Sequence, residues 1–122
     1  MVTKEYIKGW VFELPDGWVK AFGDDLVNDL YGVAVRAENA HTDYEFHISQ
    51  IKEKFGQLRV YYASIPEPFY DEIERVIDRY TDLSEKTCVV CGKEGCMTFN
   101  GWYEPLCEEH RGNKECIKCQ WI

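Results

Sequence analysis

Two pairs of residues with metal-ligand chemistry stand out in the last third of the chain. They are Cys88-Val89-Val90-Cys91 and Cys107-Glu108-Glu109-His110, with 15 residues between Cys91 and Cys107. Two residues between ligands let one tight turn aim both side chains at a single ion, and the distance between the pairs is one that zinc ribbons and related treble-clef modules use. Gly92 directly after Cys91 permits the backbone conformation such a knuckle needs. Three thiolates and an imidazole close a tetrahedral shell, whereas a catalytic zinc keeps an open position for water, so the expected cofactor is structural Zn2+. No catalytic residue is assigned. Three further cysteines offer alternatives: Cys116 and Cys119 form another C-x2-C pair able to replace Cys107/His110, and Cys96 could join them in a second site.

Other residues carry weaker chemical signals. His41, Asp43, Glu45 and His47 lie close together, yet no nucleophile or phosphate-binding glycine loop accompanies them, and the expectation is that they are not catalytic. Lys52, Lys54, Phe55, Arg59 and Tyr61 mix cations with aromatic rings, as single-strand binders do, and form an alternative nucleic-acid-binding set. Glu67, Asp71, Glu74, Asp78, Asp82 and Glu85 recur at three- and four-residue spacing, which aligns them as one acidic stripe on a helix. That stripe is the candidate surface for a basic protein partner.

Local patterns indicate what positions these groups. Pro15-Asp16-Gly17 opens a segment, 15–37, in which Trp18, Phe22, Leu26, Leu30 and Val33 mark one face of an amphipathic helix. Residues 44–65 alternate around Lys54-Phe55-Gly56-Gln57 and read as two antiparallel strands, although Ile51 falls on the wrong parity. After Pro66 and Pro68, the positions Phe69, Ile73, Val76, Ile77, Tyr80 and Leu83 predict a helix over about 68–85. Between the ligand pairs, Asn100-Gly101 predicts a hairpin turn that carries the second pair back to the first. The composition changes at Thr87, which divides the chain into a core, 1–86, and a zinc-ribbon-like module, 87–122.

The fold class expected is therefore α+β: helix, two-stranded antiparallel hairpin, helix, then the metal module packed on the core through Trp102, Tyr103 and Trp121. With 45% apolar and 15% aromatic residues a folded core is expected. Twenty-two acidic against 14 basic residues give a formal charge of −8, which argues against general binding to the phosphate backbone. No apolar run is long enough for a membrane helix and the first residues lack a secretory layout, so a cytoplasmic location is expected. In that compartment paired cysteines read first as metal ligands and only second as disulfides.

The order Ile51-Lys52-Glu53-Lys54-Phe55-Gly56-Gln57-Leu58-Arg59, an acidic helix, CxxCGKxG from Cys88, and GW-x-x-P-L-C-x-E-H over 101–110 resembles a family of small uncharacterised proteins encoded by bacteria and their phages. The similarity spans roughly residues 10–110 and includes Asp16-Gly17-Trp18. It implies a zinc-ribbon tail, a cytoplasmic site and a phage or prophage origin, and it carries no activity to transfer. Cys96 and the extension 112–122 depart from the family pattern. The function expected is that of a non-enzymatic interaction protein, a phage-encoded inhibitor or modulator of a host protein, such as a nucleic-acid-binding defence protein, reached through the acidic surface. The alternative is a nucleic-acid-binding zinc module.

Overall fold

A computed structural model describes residues 1–117. It has the α+β order expected, with a helix added at the front. Helix α1 (Lys4–Val11) is capped by Thr3, whose hydroxyl accepts the Tyr6 N–H, and it buries Ile7 and Val11. Only two buried positions and an internal Gly9 mark it, too short a stripe to read from periodicity.

The next helical run comprises α2 (Asp16–Trp18), a π-helical turn (Val19–Gly23) and α3 (Asp24–Ala40). The π turn has a cause in the apolar spacing. Trp18, Phe22 and Leu26 are four residues apart, which on a 3.6-residue helix drifts steadily off one face; the wider turn takes up the excess. All three are buried, as are Leu30 and Val33.

Strands β1 (Ile48–Lys54) and β2 (Gln57–Tyr62) pair antiparallel, with Ile51 opposite Val60 and Lys52 opposite Arg59. The register shifts between Ile48 and Gln50, and this bulge resolves the parity conflict. One extra residue on β1 lets Ile48 and Ile51, an odd number apart, both face the core with Leu58. The turn is Phe55-Gly56, both at positive φ.

Helix α4 (Tyr70–Ser84), preceded by a 3-10 turn (Glu67–Phe69), buries Ile73, Val76, Ile77, Tyr80 and Ser84. Leu83, expected on that face, is exposed, because Ser84 takes the core position and closes the free edge of β2. Its hydroxyl accepts the Leu58 N–H at 3.0 Å and donates to the Thr81 carbonyl at 2.6 Å. The hairpin thus lies between α1 on its β1 side and α4 on its β2 side, with α3 packed against both helices.

Glu38 is the one buried carboxylate among the described residues. It accepts the backbone N–H of Val2 at 2.9 Å and of Phe46 at 2.8 Å, tying the amino-terminal segment to the strand entry. Glu38→Ala leaves both donors unsatisfied and is expected to destabilise the fold by about 2–4 kcal/mol, read as a lower urea midpoint, with Glu38→Gln recovering part of it.

Beyond α4 come β3 (Cys96–Phe99), β4 (Tyr103–Leu106) and the short helix α5 (Glu108–Arg111). The backbone crosses the Thr87 junction at several points. The Trp18 indole N–H donates to the Thr87 carbonyl at 2.9 Å and the Gly17 N–H to the Val89 carbonyl at 2.8 Å. At this approach Gly17 and Gly92 meet backbone to backbone: a Cβ on Gly17 would lie 2.0 Å from the Cys88 carbonyl oxygen. Among the described residues no helix is long and apolar enough to cross a membrane.

Candidate metal centre

Each ligand pair is placed by a different local structure. Cys88 and Cys91 sit in a knuckle closed by the Gly92 N–H to the Cys88 carbonyl (3.0 Å) and the Cys88 N–H to the Lys93 carbonyl (2.8 Å). Gly92 adopts φ +84°, the conformation expected of it. The Val89 N–H reaches the Pro105 carbonyl at 3.0 Å, so the knuckle is held between the start of α2 and strand β4. Cys107 is the N-cap residue of α5 and His110 lies on that helix's first turn. The first pair thus comes from a knuckle and the second from the start of a short helix, with the β3–β4 hairpin between them.

The four side chains converge. The Sγ atoms of Cys88, Cys91 and Cys107 and a ring nitrogen of His110 all lie within 4.8 Å of one another. Cys91 Sγ is 3.6 Å from Cys107 Sγ, and His110 Nδ1 is 3.1 Å from Cys107 Sγ and 3.6 Å from Cys88 Sγ. With metal–sulfur bonds of about 2.3 Å, the edge of a tetrahedron is about 3.7 Å, so the donor set fits one ion of that coordination. Cys88 and Cys107 are buried and His110 is exposed.

The electrostatics suit a cation. Burial alone would push the Cys88 thiol up, but backbone N–H groups from Cys107, Cys91 and Val90 outweigh it and hold the thiol at about 6. The Cys107 thiol is also lowered: burial opposes this, while its backbone bond at His110 and the His110 ring favour the thiolate. His110 is raised, chiefly by its hydrogen bond to Cys107. Cys91 is raised against the pull of the Lys93 backbone N–H, through burial and the neighbouring thiols. Crowded thiols that resist sharing negative charge are what a divalent cation relieves.

The other cysteines go elsewhere. Cys96 and Cys116 are joined in a disulfide, with Cα atoms 5.5 Å apart, and the Ile117 N–H donates to the Met97 carbonyl of β3. Neither is a ligand here, and the disulfide stands where metal ligation was the first expectation. Cys119, like Trp121, lies outside the described residues.

The first hairpin supports the module through its tip. A Cβ on Gly56 would fall 2.5 Å from the Met97 sulfur, and the Gly56 N–H is held by Glu53 at 2.8 Å. The expected packing through Trp102 is corrected: Trp102 is 60% exposed. A two-residue Asn-Gly turn would pair Phe99 with Trp102, but Phe99 pairs with Tyr103, leaving Asn100-Gly101-Trp102 as a three-residue loop with Trp102 at its rim. Tyr103 is half-buried against Phe99, and the buried contacts come from Pro105 and Leu106.

The remaining candidates separate. On α4 and the turns at its two ends, Glu67, Asp71, Asp78 and Asp82 are exposed; Glu74 accepts the Tyr62 hydroxyl at 2.7 Å and Glu85 accepts from the Gln57 amide, so these two belong to the hairpin contact. Burial, then the Glu74 carboxylate, pushes the Tyr62 phenol upward and keeps it the donor. In the hairpin, Lys52, Lys54, Arg59 and Tyr61 share one face of the ladder by register, with Phe55 at the turn. Arg59 and Lys52 are half-buried. His41, Asp43, Glu45 and His47 are exposed on the segment before β1, outside any strand, and are not among the described side chains that converge as possible metal ligands.

Comparison of the chain with protein-family models, with curated proteins and with solved structures finds no match, so its relationships rest on the residues and geometry described above.

Proposed function

We propose that the chain is a non-enzymatic interaction protein in which one zinc ion clips the carboxy-terminal module, and whose acidic outer surface docks on a basic protein partner. Zinc is the metal preferred because three thiolates and one imidazole form a closed, soft, tetrahedral donor set. Four protein ligands leave no position for a metal-bound water, which argues for a clip rather than a reaction centre.

The observation that supports the docking surface is the state of the α4 stripe. Glu67, Asp71, Asp78 and Asp82 are exposed and, among the described residues, none is in an ion pair, while the neighbouring Arg79 turns to Asp29 on α3 (3.5 Å) and Glu72 pairs with Arg36. A row of uncompensated carboxylates at helical spacing offers a basic protein a phosphate-like array. The family resemblance adds the biological setting: a phage- or prophage-encoded modulator of a host protein.

The test is capture of partners from host lysate by the zinc-loaded chain and by a triple charge-reversal variant at Asp71, Asp78 and Asp82. Glu74 and Glu85 are spared because they hold the hairpin. One stoichiometric partner is expected to be lost on reversal, with zinc content unchanged; retention of every partner makes the stripe merely solubilising. The shared face of Lys52, Lys54, Arg59 and Tyr61 favours nucleic acid instead, and salt-dependent retention of single-stranded DNA that fails on Lys54→Glu would select that reading.

A further inference from the structure

The hairpin tip, the metal knuckle and the β3–β4 loop enclose a cleft of about 890 Å³ that the metal site does not use. Its apolar lining includes Phe55, Val90 and Trp102, which are 63%, 52% and 60% exposed, together with half-buried Tyr103. With Phe99, also in the lining and 54% exposed, four apolar side chains this exposed converge on one concavity, a costly arrangement unless something covers them. Among the described lining residues the charged ones are Asp16, Glu53 and Glu104, while the Lys54 ammonium lies at the rim over Phe55. One Glu53 oxygen holds the Gly56 N–H, while no hydrogen bond or ion pair engages the carboxylates of Asp16 and Glu104 among the described residues.

Aromatic faces beside carboxylates are the chemistry that recognises organic cations, through ring quadrupole and charge together. An aromatic ring at the rim already does this within the chain: Lys54 Nζ sits 5.5 Å from the Phe55 centroid. The volume exceeds that of one side chain and suits a short extended segment. A planar guanidinium stacks on such rings and pairs with carboxylates in one geometry, which a compact ammonium does less well. We propose that this cleft binds an arginine side chain presented on an extended peptide segment of a partner protein, with Trp102 and Phe55 stacking and Glu104 and Asp16 supplying the counter-charge.

The site shares with the reading above only the sign of the partner's charge and stands on different residues, so either can fail alone. It also opposes the nucleic-acid reading at Phe55, because a strand stacked there would bring phosphates toward three carboxylates.

The experiment is an NMR titration of the zinc-loaded, isotope-labelled chain with a capped Gly-Arg-Gly-Arg-Gly peptide and with the same peptide carrying citrulline, which keeps the shape and removes the charge. Shifts are expected at the amides of Phe55, Val90 and Tyr103 and at the Trp102 indole, with citrulline binding about tenfold weaker. Trp102→Ala and Glu104→Gln, both outside the buried core, should each weaken arginine binding several-fold while zinc content stays constant. Equal binding of the citrulline peptide, shifts confined to Asp71 and Asp78 on α4, absence of binding, or the same shifts produced by an oligothymidine would each overturn the proposal.

Discussion

Cys88→Ser is expected to reduce bound zinc from about one ion per chain to nearly none, and to unfold the module from Thr87 onward while leaving most of the helical core in place. The reason is the position of this thiol. It is wholly buried, within 3.6 Å of His110 Nδ1, and surrounded by backbone donors that already favour the thiolate. Structural zinc contributes roughly 10–16 kcal/mol to small modules near neutral pH, more than the hydrophobic contacts available here could replace. Among the described residues the buried hydrophobic cluster around the ligands is small, Cys88, Leu106 and Cys107, with Val89 and Cys91 packed beside it. His110→Ala, at the exposed ligand, should weaken zinc by more than the ~10–100-fold that loss of an outer partner costs, yet leave measurable binding through three thiolates. The sign of the pH dependence follows from the same groups. Ligands must shed protons to bind, so zinc affinity should fall as the pH is lowered, with the raised Cys91 thiol the costliest to deprotonate and the lowered Cys88 thiol the cheapest. Zinc release followed with a chromogenic chelator, together with amide exchange at Gly17 and Val89, checks each part.

Trp18→Ala should be the most damaging substitution outside the ligands, at about 3–5 kcal/mol. The ring is fully buried, packs against Phe22 at 6.1 Å between centroids, and spends its one polar atom on the Thr87 carbonyl. Thr87 immediately precedes Cys88, so the loss should be felt at the metal as well as in the core. Trp18→Phe separates the two effects: it keeps most of the apolar contact, removes only the hydrogen bond, and should cost about 1–3 kcal/mol. Urea midpoints give the stability, and competition with a zinc chelator gives the affinity. An alanine variant that lost stability with unchanged zinc affinity would mean that the knuckle does not depend on its seat against α2.

Much of this molecule is local and therefore legible in its sequence. Ligand pairs with two intervening residues report on a turn, so Cys88, Cys91, Cys107 and His110 can be found without knowing the fold. The Trp18–Val33 stripe and the α4 face are periodic over several turns. What escapes is either short or set by distant partners. Helix α1 offers too few buried positions to show a period. The β1 bulge is invisible because its purpose is to reconcile Ile48 and Ile51 with a core assembled elsewhere. Glu38 reads as an ordinary exposed helical glutamate until the chain start and Phe46 arrive around it. The acidic stripe is correct as an alignment, but only the tertiary contact removes Glu74 and Glu85 from its free surface. Trp102 reads as a residue that packs the module on the core; one extra residue in the Asn100-Gly101 loop turns it outward instead. The pairing of Cys96 with Cys116 depends on where the chain runs after α5, which no spacing rule conveys.

X-ray absorption at the zinc edge of the purified, zinc-loaded chain tests the central claim most directly, because it reads the atoms that hold the ion. The prediction is about three sulfur neighbours near 2.3 Å and one nitrogen near 2.0–2.1 Å, with no oxygen from water, at about one zinc per chain. Four sulfur neighbours would replace His110 with another thiolate, a water oxygen would open the shell to catalysis, and failure to retain zinc would remove the clip on which the account is built.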